Sequence, residues 1–243
     1  MRGLLYRVVV CVLSLGLCAS FVAAQTRAKA PLKRAKDAAR HSQEASQVLT
    51  KIMAVPERGI PRDLVEGAEA VAVCAGVLKA AFIVGGRKGD CVISRRTARR
   101  GWGAPVFYNL AGGSVGFQVG GAKTDYVLLF MNEGALKGLM EDKFEIGGEA
   151  DIAAGPVGRT VGASTNATLD AGILTYSRSK GAFIGAALKG VAITPDNDLN
   201  RAYYGLTARE VLTSGQRPPT LVRSLPLAIS RFSARRAART PKK

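Results

Sequence analysis

The chain has 243 residues, in which 35 Lys and Arg face 18 Asp and Glu, for a formal charge of +17. A charge of that size concentrates anionic partners by steering and limits self-association, and it leaves the fold open. Four Cys and one His are too few for a usual structural zinc site once Cys11 and Cys18, near the N-terminus, are set aside.

Met1–Ala24 has a basic start (Arg2, Arg7), an apolar run from Val8 to Leu17, and Val22-Ala23-Ala24 ahead of Gln25. This is the pattern of a cleavable export signal. The run is short against the roughly 20 residues of a membrane helix, which counts against an uncleaved anchor. A lipoprotein signal is disfavoured because Val10 and Leu17, not small residues, precede Cys11 and Cys18. Cleavage would remove two arginines and lower the charge to +15. The expected location is the periplasm or cell envelope, or secretion, and no transmembrane span is expected in the mature chain. Cys74 and Cys91 remain. Export would permit a disulfide between them, while their apolar, strand-like settings suit two buried small side chains, the reading favoured here.

Residues 25–36 form a polar, basic linker. A helix is expected from about Pro31–Lys36 to Met53, with Ala35, Ala38, Ala45, Val48, Leu49, Ile52 and Met53 on one stripe. Lys33, Lys36, Arg40, Gln43, Glu44, Gln47 and Lys51 fall opposite. Pro56 and Gly59 end it, and Pro61 opens a short helix reaching about Gly67. Glycine-separated runs then predict strands near Ala70–Cys74, Ala80–Val84, Cys91–Arg95, Val106–Leu110, Val115–Val119 and Tyr126–Met131, with a hairpin turn at Gly85–Asp90. A short helix at Glu133–Met140 and strands near Phe144–Ala153, Ile173–Ser177 and Ala182–Ile193 follow. Thr207-Ala208-Arg209-Glu210 is a capping box opening a last short helix. Residues 214–243 carry eight Lys and Arg, four prolines and no acid. They read as a basic, disordered tail.

Gly116–Thr124 resembles a phosphate loop, but Ala122 separates Gly121 from Lys123 and a strand, not a helix, follows. Alternate glycines there suit close approach of another backbone to the sheet. His41 lies at the edge of the apolar stripe, which makes a Ser-His-Asp device a poor reading. Glu149 and Asp151 read as a solvated strand face in preference to paired catalytic carboxylates. The basic clusters are therefore the candidate site: Lys33, Lys36, Arg40 and Lys51 on the first helix, Arg87 and Lys88 at the expected hairpin tip, and Arg95, Arg96, Arg99 and Arg100 in one turn. Aromatic residues are not interleaved with them, which argues against nucleic acid and for lipid headgroups or acidic polymers.

Several ordered segments carry a resemblance: MAVPERGIP from Met53, GVLKAAFIVGGRKG, VISRR, GWGAPVFYNLAGGSVGFQVGG, TDYVLLFMN, FEIGGEADIAAGPVGR and ILTYSRSKGAFIGAALKGVAI. With Asn200–Gly205 they resemble the SYLF domain, also called the Ysc-type actin-binding domain, over about Ser46 to Leu212. The match departs at Cys74-Ala75-Gly76, where members often carry an aromatic-proline pair before the glycine. It implies one domain over residues 37–213, lipid binding assisted by an amphipathic N-terminal helix, actin binding in some members, and no established active site or cofactor. The expectation is thus an α+β fold: a glycine-rich, mostly antiparallel β-structure with a leading amphipathic helix and short flanking helices. Its expected function is non-catalytic, peripheral binding of anionic lipid in the cell envelope. The alternative is a structural or interaction protein that binds an acidic polymer or a partner protein.

Overall fold

Two apolar pentads, Ala70–Cys74 and Tyr126–Phe130, are buried at every position in the computed structural model. Strands of a half-solvated sheet alternate between buried and wet side chains; a continuous run of this kind requires cover on both faces. The structure describes residues 32–55, 59–81, 84–98, 101–115, 120–146, 151–156, 171–179, 182–185, 188 and 190–233. Among these, nine strands form one sheet: β1 Ala70–Ala81, β2 Val84–Arg95, β3 Val106–Val115, β4 Gly120–Phe130, β5 Phe144–Ile146, β6 Ile152–Ala154, β7 Ile173–Ser179, β8 Ala182–Gly185 and β9 Val191–Pro195. The order is β5-β9-β3-β2-β1-β4-β7-β6, with β8 beside β7. Every pairing is antiparallel except that of β6 with β7. The α+β expectation holds.

One face is covered by α1 (residues 32–53), α2 (Arg62–Gly67) and a late helix at Ser224–Phe232. These bury Leu49, Ile52, Val65, Leu225 and Ile229 against Val71, Val73, Val127 and Leu129. On the other face α3 (Glu133–Gly138) and a helix at Ala208–Ser214 meet Ala72, Ile93, Tyr108 and Leu128 through Leu136, Leu139, Val211 and Leu212. The remaining helix, Asn197–Tyr204, was not expected from the sequence. In chain order these last three helices are α4 (Asn197–Tyr204), α5 (Ala208–Ser214) and α6 (Ser224–Phe232). Buried Asn200 on α4 stands in for a neighbouring strand: its carboxamide accepts from the Phe107 N–H at 3.0 Å and donates to the Phe107 carbonyl at 2.9 Å. The capping box that opens α5 is complete.

Four expectations need correcting. First, the six short strands of residues 70–131 are four long ones, and Gly85–Asp90 lies within β2, not in a turn. Glycine was read as a break, but here small residues oppose each other across the ladder, Gly86 against Gly113 and Ala80, and Gly85 against Ala81 and Ser114. At Gly112 an added Cβ would come within 2.9 Å of the Gly190 carbonyl oxygen, so β9 approaches as closely as it does only over a glycine. A bulge in β1 falls at Gly76, whose φ of 61° favours glycine. Its N–H is held by the Asp125 carboxylate at 2.8 Å. Second, Phe144–Ala153 and Ala182–Ile193 each divide. β5 pairs with β9 and β6 with β7, at opposite ends of the sheet order, while β8 joins β7 and β9 joins β3.

Third, Cys74 and Cys91 form a disulfide rather than standing as separate thiols. The two residues sit directly opposite on β1 and β2 and point to the same face. Fourth, the folded unit does not end at Ser214. A 3-10 turn at Thr220–Val222 and α6 bury Val222, Leu225, Pro226, Ala228 and Ile229. Prolines and arginines suggest a loose tail, but Pro226 sits in the first turn of α6, and Arg217, Arg223 and Arg231 are exposed while Val222, Leu225, Ala228 and Ile229 pack into the core on the α1 face. Ser42 of α1 donates to the Val222 carbonyl at 2.5 Å and accepts from the Leu225 N–H at 3.3 Å. The indole N–H of Trp102 donates to Ser233 at 2.9 Å, and Arg62 lies over the Phe232 ring. The export signal, the basic linker before Leu32 and the tail beyond Ser233 lie outside the described residues.

Leu225→Ala should cost about 2–5 kcal/mol, the range for a large aliphatic side chain lost from a core, measured by urea unfolding, and removal of residues 215–243 should abolish the cooperative transition. Reducing the disulfide, which closes a loop with a sequence separation of 17, should cost about 3 kcal/mol by loop entropy. The same protein melted with and without reductant gives that value.

Candidate functional site

The apolar stripe of α1 is built into the core: Ala38, Ala45, Val48, Leu49 and Ile52 are all buried. An amphipathic helix whose apolar side is already covered cannot lay that side into a bilayer, so α1 can offer only its polar face. There Lys33, Lys36, Arg40 and Lys51 are exposed, with Arg34 beside them. They are not equivalent. Arg40 pairs with Glu44 at 3.2 Å and Asp37 at 3.9 Å, which largely neutralises it locally, whereas Lys33 and Lys36 stand at the start of the helix beside Leu32, an exposed aliphatic residue. Half-buried His41 sits against the Phe107 ring with Asp90 at 3.9 Å, an edge-of-core histidine as expected.

On the sheet, Arg87 and Lys88 are neighbours in a strand, so their side chains leave on opposite faces. Lys88 shares the α1 face with Asp90 and Val92. Directly across from it on β1 is Leu78, and directly across from Leu78 on β4 is Lys123. Lys88, Leu78 and Lys123 therefore form one row over three adjacent strands, on the face that carries α1. Leu78 is 54% exposed and both lysines are exposed. Neither lysine has a carboxylate within ion-pair distance among the described residues. Sequence reasoning missed this row. Lys123 enters it only as the lysine of the phosphate-loop lookalike, and the bulge at Gly76 shifts the period-2 pattern that would have placed Leu78. Arg87 faces the other way, beside Lys79 on β1, and its Nε is buried without a partner among the described residues.

The cluster at residues 95–100 also separates. Arg96 is structural: it donates to the carbonyls of Ala68 (2.9 Å), Val65 (3.2 Å) and Glu66 (2.5 Å), closing the C-terminal end of α2, and its guanidinium lies 4.4 Å from the centre of the Trp102 ring. Arg95, one residue earlier, points to the opposite face. Arg99 and Arg100 lie outside the described residues, as do Glu149 and Gly116–Val119. Asp151 is exposed. Among the described residues no group of three His, Cys, Asp or Glu could hold a metal ion, and no helix is long and apolar enough to cross a membrane.

A glycine-rich sheet between two helical layers, with its C-terminal helix integral to the core, is the architecture over which a family match occurs. The profile described as Ysc84, Las17-binding protein actin regulator, matches residues 111–232, ending at the last residue of α6. The chain belongs to this family, and its class is that of binding and regulatory proteins. It is similar to LAS seventeen-binding protein 3 of Saccharomyces cerevisiae, 36% identical over 168 residues, which cover 67% of this chain and 36% of the yeast protein. It is similar also to Protein YSC84 of the same yeast, 33% identical over 165 residues, 66% of this chain and 35% of that one. The SH3 domain-containing YSC84-like protein 1 of Xenopus laevis is 28% identical over 193 residues, 76% of this chain and 57% of the frog protein. The chain thus spans about a third of the yeast relatives and somewhat over half of the frog one.

The division of roles between the structural Arg96 and the exposed lysines is testable. Arg96→Met should cost about 2–3 kcal/mol, since it strips charged donors from carbonyls at a helix end, whereas Lys88→Gln and Lys123→Gln should each change stability by less than about 0.5 kcal/mol. Urea midpoints for the three variants decide it.

Proposed function

We propose that this chain is an exported, non-catalytic binding protein that associates peripherally with anionic lipid at the cell envelope. The observation that carries this reading is the row Lys88–Leu78–Lys123, an exposed aliphatic side chain between two unpaired lysines, on the same sheet face as Lys33 and Lys36. Such a surface meets phosphate headgroups with its charges while the leucine reaches the acyl boundary. Each lysine near an anionic membrane contributes about 1 kcal/mol. Four of them, with about 1.5 kcal/mol from a largely buried leucine, total about 5.5 kcal/mol, a Kd near 0.1 mM. Binding of this strength is reversible and salt-dependent. The expected export signal supports the envelope location, and a disulfide joining β1 to β2 is at home in an oxidising compartment.

A second reading has its own support. The matched profile and the yeast relative are named for binding Las17, so the same basic face could receive an acidic protein surface.

Co-sedimentation with phosphatidylglycerol vesicles, phosphatidylcholine vesicles and heparin beads separates the readings. The paired change Lys88→Glu and Lys123→Glu should weaken binding to phosphatidylglycerol at least tenfold at low salt, with little difference near 1 M salt, where the Debye length is about 3 Å. Leu78→Ser, which removes the apolar side chain without adding charge, should weaken vesicle binding and leave heparin binding unchanged. If Leu78→Ser alters neither, the face is a generic polycation and the protein-partner reading takes precedence.

A further inference from the structure

A cleft of about 600 Å³ opens at the far end of β2, between the turn carrying Thr97 and Trp102 and the C-terminal end of α5. It is separate from the row at Lys88: seven residue steps of extended strand, about 24 Å, separate Lys88 from Arg95. Two nitrogen donors in its lining have no acceptor among the described residues. The Arg95 Nε and the Gln216 carboxamide nitrogen are both buried from solvent and unpartnered. A buried donor left unmade is costly, and a charged one more so.

Several nearby carbonyls already accept a hydrogen bond from another donor. At the end of α5 the carbonyls of Arg209 and Glu210 accept from the Thr213 hydroxyl, and that of Val211 from the Ser214 hydroxyl. The Gln216 carbonyl accepts from the Ala104 N–H, and the Arg95 carbonyl from the Gly103 N–H. Arg95 has no carboxylate within ion-pair distance among the described residues, unlike Arg96, which spends its donors on α2. The cleft is thus arranged with donors in surplus: a guanidinium edge, a carboxamide, and Arg217 exposed at the rim.

We propose that this cleft is a binding site for an oxyanion of the phosphate type, held by Arg95 and Gln216 with Arg217 at its mouth. The guanidinium presents its N–H groups as a fork that matches two oxygens of such an ion, and the carboxamide supplies a third donor. The inference does not rest on the lipid reading, because the surface row and the cleft share no residue. The phosphate can be free or part of a phospholipid headgroup, since both present the same oxygens.

Inorganic phosphate titrated into the full chain at constant ionic strength, with chloride as the control, is the test. The thermal midpoint should rise by about 3–6 °C at ten times Kd and go on rising with the logarithm of phosphate concentration. Arg95→Met, which keeps the aliphatic stem, and Gln216→Leu should each weaken phosphate binding at least tenfold, while the pair Lys88→Glu and Lys123→Glu should leave it intact. If Arg95→Met fails to fold by circular dichroism, Gln216→Leu carries the comparison. Phosphatidate vesicles that displace phosphate, where phosphatidylcholine vesicles do not, assign the site to a headgroup; no displacement assigns it to the free ion. A wild-type midpoint that ignores phosphate overturns the proposal. So does an equal rise in all variants, which would mark adsorption to the general basic surface.

Discussion

The fold depends on covering both faces of its two central strands. β1 and β4 present buried apolar side chains up and down at every position from Ala70 to Cys74 and from Tyr126 to Phe130, so each face must be roofed before the sheet is stable. The chain meets this from its two ends. α1 comes from before the sheet and α6 from after it, and they share one face, with the Ser42 hydroxyl bonded to both the carbonyl of Val222 and the N–H of Leu225. The other face is closed by α3 and α5, which the chain supplies between strands and just after β9. A strand edge that this burial takes from water is matched in place where Asn200 completes the hydrogen bonds of Phe107.

This arrangement decides what the surface can do. Because the apolar side of α1 is occupied by the core, contact with a partner falls to exposed side chains on a fixed scaffold rather than to a helix that swings out. The sheet beyond the helices is rich in glycine and alanine, and its few large side chains stand apart on it. Leu78 and its two lysines project from such a background, which is why a single aliphatic residue can matter there.

The sequence made the buried stripe of α1, the capping box at Thr207 and the strand character of residues 70–131 legible, because each depends on neighbours within a few positions. What it hid depends on distant partners. Gly85, Gly86 and Gly113 look like punctuation until they are seen facing one another across a ladder. The helical residues near the C-terminus look loose until Trp102, Arg62 and Ser42 are placed against them. The candidate site divides along the same line. Exposed lysines on α1 follow from helical spacing alone. The separation of Arg87 from Lys88, and of Arg95 from Arg96, needed the knowledge that both pairs lie in or at the end of a strand, and the position of Leu78 needed the bulge at Gly76.

The Ser42 clasp has a bearing on how the molecule comes into being. Its two hydrogen bonds join residues 180 and 183 positions apart, and α6 is the last described helix to be synthesised. Until it arrives, the face formed by Leu49, Ile52, Val71 and Leu129 has one wall missing. From the time Leu129 is made, a nascent chain therefore holds an open greasy trough, and it closes the trough only with α6, by a contact of long sequence range that forms slowly. Such a chain stays unfinished, and so threadable, until α6 is made.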